Sequence, residues 1–104
     1  MTVELSQRTE TLLARVFTDE DARAVARTLL TEKCGEEIPG CKNARAEDLE
    51  RIRFAVLKLS GGDFHKLNDA VELANLDWRD LFMAAGFGHE VQAHERWYWQ
   101  VVGS

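Results

Sequence analysis

Nowhere in this chain do β-branched residues alternate with polar ones, which argues against a sheet-based fold. Proline occurs once, at Pro39, so almost every segment is open to a helical run. Two cysteines, Cys34 and Cys41, are too few for the disulfide framework of a small secreted scaffold. No apolar stretch approaches the roughly 20 residues that cross a bilayer as a helix. Residues 1–6 lack the basic and apolar regions of a signal peptide, so the expected location is cytoplasmic and no membrane is involved. Positive charge is also short: 13 Lys and Arg stand against 18 Asp and Glu, for a net charge of −5. That balance disfavours broad binding to nucleic acid and suits a partner with a basic surface.

What is present is hydrophobic content and helix punctuation. At 104 residues and 45% hydrophobic, the chain can build one core and fits a single domain over 1–104. A first helix is expected over residues 3–17, with Leu5, Leu12, Leu13, Val16 and Phe17 on one face. Thr18 reads as the N-cap of a second, with Asp21 three residues on. Its stripe is Ala22, Val25, Ala26, Leu29 and Leu30, and Gly35 reads as a left-handed stop. Residues 36–43 form a loop that turns at Pro39-Gly40.

A third helix is expected to begin between Ala44 and Glu47. Its apolar set, Leu49, Ile52, Phe54, Ala55, Val56, Leu57 and Leu59, wraps more than one face, as befits a central helix. Ser60-Gly61-Gly62 stops it and Asp63 caps the fourth, whose core stripe is Phe64, Leu67, Ala70, Val71 and Ala74. Asn75 reads as its left-handed end. Asp77 starts a fifth helix over residues 78–85, with Leu76 and Leu81 placed as a hydrophobic staple. Gly86 closes it in a Schellman turn that brings Phe87 back onto Phe82. A last helix is expected over 89–101. The fold class is therefore all-α, a compact irregular bundle of five to six short helices with short connections.

Chemistry-bearing residues are sparse. Cys34 and Cys41 enclose six residues with a Pro-Gly turn, which allows a reduced thiol pair or a short disulfide loop adding about 2 kcal/mol. A metal would need two further ligands, and the five-residue spacing of His89 and His94 puts them on different helical faces, so no metal or cofactor is assigned. His65 falls in the first turn of its helix, where a cation is disfavoured, and reads as exposed. No histidine lies in a recognisable triad, so no catalytic residue is assigned. Asn75-Leu76-Asp77 could form the turn of a helix-turn-helix, but its second helix offers Arg79 beside Asp80 and otherwise core residues. The most unusual feature is Trp97-Tyr98-Trp99. Consecutive helical residues point in different directions, so the three cannot all enter one core. Trp97 and Val101 are expected inward and Trp99 on the surface. Trp97, Tyr98, Trp99 and Val101 are the interface candidates.

The stretches Arg51-Ile-Arg-Phe-Ala-Val-Leu-Lys-Leu-Ser-Gly-Gly-Asp63 and Asp77-Trp-Arg-Asp-Leu-Phe-Met-Ala-Ala-Gly-Phe87 resemble those of short bacterial proteins of about this length with no assigned function. The resemblance implies a bacterial source and a free-standing small protein, and it carries no catalytic residues. The expectation is a non-enzymatic protein that binds another protein or itself, a homodimer included. The alternatives are a small-molecule binder or enzyme with a cleft near His65, Arg79 or Asp80, and a helix-turn-helix DNA-binding protein.

Overall fold

Residues 4–35, 38, 44–88, 90 and 92–103 are described in the computed structural model. They form six helices: α1 (Gln7–Val16), α2 (Glu20–Lys33), α3 (Ala46–Ser60), α4 (Phe64–Leu76), α5 (Trp78–Ala85) and α6 (Ala93–Val102). There is no strand among them. The radius of gyration is 12.3 Å, close to the roughly 13 Å of a compact chain this long. The all-α bundle expected from the pattern is what forms.

Local chemistry sets most boundaries. Ser6 caps α1 by accepting from the Thr9 N–H at 3.2 Å, so α1 starts at Gln7 and not near Val3. Val3 itself lies outside the described residues. Asp19, not Thr18, caps α2, accepting from Ala22 N–H at 2.9 Å. Both residues are good caps, and the apolar stripe alone does not choose between them. Cys34 is the C-cap of α2 at φ −120°, and the left-handed glycines among the described residues are Gly61, Gly62 and Gly86. Gly35 therefore does not supply the left-handed stop. Asp48 accepts from the Arg45 N–H at 3.3 Å and fixes the start of α3.

The α3–α4 and α4–α5 corners are tight. Gly62 sits at φ +85°, and a Cβ there would lie 2.8 Å from the Val16 carbonyl oxygen, so this turn needs glycine on both counts. Asp63 caps α4 through Lys66 N–H at 3.1 Å. Asn75 does not end α4. It stays helical and donates to the carbonyls of Val71 and Lys33, each at 2.9 Å, tying α4 to the end of α2. One residue, Asp77, both closes α4 and opens α5. Its N–H donates to Leu73, and its carboxylate accepts from Arg79 N–H at 3.0 Å. The expected staple is not made: Leu81 is fully buried but Leu76 is 82% exposed. The Schellman turn is made, with Phe87 N–H on Phe82 O at 2.8 Å and Gly86 N–H on Met83 O at 3.2 Å. The last helix begins at Ala93 after Gln92, later than residue 89.

α3 is the central helix. It packs against α1, α4, α5 and α6. Leu49, Ile52, Phe54, Ala55, Val56 and Leu57 are buried, and so is Arg53, at 2% exposure. The Arg53 guanidinium is not stranded. Its Nε donates to Cys34 O at 3.0 Å and its Nη1 to Glu4 O at 3.1 Å. Charge-assisted bonds of this kind offset the cost of removing a cation from water.

Candidate functional site

α6 is held to the bundle by rings. Phe54, on α3, is the hub: Tyr98 stacks on it at 5.7 Å and 11°, while Trp97 and His94 meet it edge-on at 6.3 and 5.6 Å. Phe87 takes the other side of the same pair, 6.1 Å from Trp97 and 6.3 Å from His94. Offset and edge-on arrangements at these separations add roughly 0.5–1.5 kcal/mol each beyond area burial. Lys58 closes the end of α5 by donating to Ala85 O at 2.7 Å, with its ammonium 5.1 Å from the Phe87 ring.

Arg8 of α1 covers the cluster. Its guanidinium lies 4.7 Å from the Tyr98 ring centre and 5.5 Å from that of Phe54. Nε and Nη2 are buried without an acceptor, and the two ring faces stand in for one. Nη1 reaches Glu50 at 3.7 Å and Glu95 at 3.5 Å. Glu50 also accepts from Ser6 Oγ at 2.5 Å. The N-cap of α1, the start of α3 and the first turn of α6 are thus joined through one carboxylate–guanidinium chain.

The interface candidates separate on this scaffold. Tyr98 is buried, and Trp97 and Val101 are half-buried. The inward expectation for Trp97 and Val101 is met in part, because Tyr98 takes the deepest place. Trp99 is 64% exposed and meets Tyr98 edge-on at 5.1 Å. An indole is therefore presented to solvent with a buried ring behind it. The other large exposed apolar side chains among the described residues are Leu76, Met83 (60%) and Val25 (50%), on α4, α5 and α2.

Among the described residues, the remaining sequence candidates do not converge. Cys34 is fully buried, and Cys41 lies outside the described residues, as do His89 and Pro39-Gly40. His65 is exposed, whereas His94 is buried among aromatic rings. Among the described residues no group of three or more His, Cys, Asp or Glu is placed to hold a metal ion. An open depression runs beside Leu59, Lys66, Asp69, Ala70 and Leu73; His65, Arg79 and Asp80 do not line it. α4 and α5 meet at Asp77 alone, a tighter corner than the three-residue turn expected of a helix-turn-helix. Arg79 lies over Trp78 at 5.6 Å beside exposed Asp80. None of the described helices is long and apolar enough to cross a membrane.

Sequence reasoning missed two arginines, one buried beneath this site and one within it. Arg53 sits between Ile52 and Phe54 on a helix buried nearly all round, and that position was the signal that it had no route to solvent. The role of Arg8 as a lid on Phe54 and Tyr98 left no local trace, because it depends on α1 and α6 meeting across 90 residues of chain. No family model, curated protein or solved structure matches the chain.

Proposed function

We propose that this chain is a non-enzymatic cytoplasmic interaction protein that docks through the end of α6. The observation that carries this is Trp99, 64% exposed and braced by Tyr98. Tryptophan and tyrosine are the residues that most often anchor an interface, because they bring large area and lose little conformational freedom on binding. A single exposed apolar residue is ordinary. One that is aromatic, backed by a buried ring and next to half-buried Val101 and Val102 is a better anchor than Leu76 or Val25.

A DNA-binding role draws less support. α4 and α5 with their caps carry Asp63, Asp69, Glu72, Asp77 and Asp80 against Lys66 and Arg79, and a phosphate backbone is repelled by that balance. A catalytic role draws no support from the described residues placed together.

A photo-crosslinking amino acid at position 99, with position 25 as the control, tests this directly. Irradiation in the cells that make the protein is expected to give an adduct of defined mass from position 99 and none from position 25. Absence of any adduct from position 99 would remove the α6 end as a docking face.

A further inference from the structure

We infer that His94 is an acid-sensitive latch, whose protonation releases α6 from α3. The inference concerns how the helix is attached and stands whatever docks at Trp99. His94 lies in the first turn of α6 and is buried, at 8% exposure. Its ring meets Phe54 at 5.6 Å and 60°, and Phe87 at 6.3 Å and 62°. A neutral imidazole suits that place, whereas an imidazolium would have to leave water for a wall of rings. Aromatic faces can offset such a cost by attracting a cation. Here each of the two rings already carries one. The Arg8 guanidinium lies 5.5 Å from the centre of Phe54, and the Lys58 ammonium 5.1 Å from that of Phe87. The dipole of α6 works in the same direction, because a cation in the first turn faces its positive end.

The charged groups on the elements packed against α6 do not reverse this. α1 and α3 are those elements. From α1 comes Arg8, while Glu10 is turned to Arg27 of α2. From α3, Arg51 donates to the Phe87 carbonyl at 2.8 Å, and Arg53 is held by the Cys34 and Glu4 carbonyls. The carboxylates already serve arginines: Glu50 and Glu95 hold Arg8, Glu90 holds Arg96, and Glu47 and Asp48 hold Arg45. A charged His94 would thus join Arg8, Arg51 and Lys58 around two phenyl rings. Of the four helices that pack on α3, α6 makes the lightest contact, so it is the one placed to open locally.

Once α6 lifts away, His94 returns to water and takes a proton at the ordinary imidazole value of about 6.5. The closed cluster accepts that proton less readily. The attachment is therefore complete above about pH 6.5 and weakens as pH falls below it. Between pH 7.5 and 5.0 the open fraction should rise by up to roughly thirtyfold. That window lies above the ordinary titration of Asp and Glu near about 4, which separates the latch from the loss of carboxylate caps. Opening strips Tyr98, Trp97 and His94 from Phe54, so acid would also dismantle the support behind Trp99.

Amide hydrogen exchange of the full chain at pH 7.5 and 5.0, corrected for the intrinsic pH dependence of exchange, tests this. In the wild type, protection of α6 is expected to fall at least tenfold while that of α3 and α4 stays within threefold. His94→Gln should hold α6 within threefold over the same range, and His65→Gln, a change at an exposed histidine, should behave as the wild type. The His94 ring resonances of the wild type supply a second reading that needs no variant. They should remain those of a neutral imidazole at pH 5.5 as long as α6 is protected. The inference is overturned by α6 protection that does not change with pH, by a loss shared equally among all six helices, or by a loss that persists in His94→Gln. A His94 ring that protonates fully near pH 6.5 with α6 still closed overturns it as well. If His94→Gln does not fold, the two wild-type readings decide alone: a selective loss in α6 with a neutral ring in the closed form sustains the latch, and any other pair of results removes it.

Discussion

The α4–α5 corner and the α1–α6 side both expose large apolar side chains, yet the surroundings differ in kind. At the corner, Leu76 projects at 82% exposure beside Asp77, the carboxylate that caps α5. Met83 is exposed on a helix whose other faces are closed by Leu81, Phe82 and Ala85. On the α1–α6 side, Trp99 stands on Tyr98, which stands on Phe54, and Arg8 beneath the stack is paired with Glu50 and Glu95. An isolated apolar residue among carboxylates is the normal texture of a soluble surface. An aromatic residue backed by a ring stack is closer to the make-up of an interface centre, where aromatic residues are enriched. Exposure alone does not distinguish the two regions; what stands behind and around each side chain does.

That comparison can be broken most violently at its hub. Phe54→Ala removes the ring that holds Tyr98, Trp97 and His94, and α6 with them. A loss of about 3–5 kcal/mol is expected in urea unfolding, the usual cost of an aromatic truncated in a core, with hydrogen exchange rising first in α6. A loss spread evenly over all six helices would mean that the cluster is not a local unit.

The α4–α5 side should respond through its caps. The hydrogen bond from the Lys66 backbone N–H is the main cause that holds the Asp63 carboxyl below its ordinary 3.8. A lowered folded value means that the carboxylate stabilises the fold above the ordinary value, and this contribution fades as pH falls through the folded one. Asp63→Asn keeps a capping side chain without the titration. Below pH 4 the melting temperature of this variant should therefore fall less steeply than that of the wild type, with little difference at pH 7. Equal acid slopes would show that the cap does not feel its charge.

The smallest effect is expected at Leu76. Leu76→Ser should change stability by less than about 0.5 kcal/mol, since the side chain has little surface to lose. A loss above about 1 kcal/mol would restore the hydrophobic staple that the exposure of Leu76 denies.

Much of this architecture was legible because caps are local. Asp63, Asp77, Gly61 and Gly86 act where their side chains or φ angles allow, and α5 starts and stops at Trp78 and Ala85 as its punctuation requires. Errors arose where two local signals competed. Ser6 caps α1 inside an apolar pattern that already begins at Val3, and Asp19 displaces Thr18. Asn75 tolerates left-handed backbone, but tertiary hydrogen bonds to Lys33 and Val71 keep it helical. The candidate site was half legible. Three consecutive aromatics had to diverge, so one exposed ring was implied by geometry. Which residue went deepest was not, because Tyr98 owes its burial to Phe54 and Arg8, residues far along the chain.

The central claim is that neighbouring residues of α6 serve different ends, Tyr98 the fold and Trp99 the surface. Urea unfolding of dilute Tyr98→Ala and Trp99→Ala, kept well below the concentration at which any dimer would form, tests it most directly. Tyr98→Ala should lose about 2–4 kcal/mol as its stack on Phe54 is removed, and Trp99→Ala about 1 kcal/mol at most, the worth of one partly exposed edge contact with Tyr98. A Trp99→Ala loss comparable to that of Tyr98→Ala would contradict the account, because Trp99 would then belong to the core and leave no exposed anchor at the end of α6.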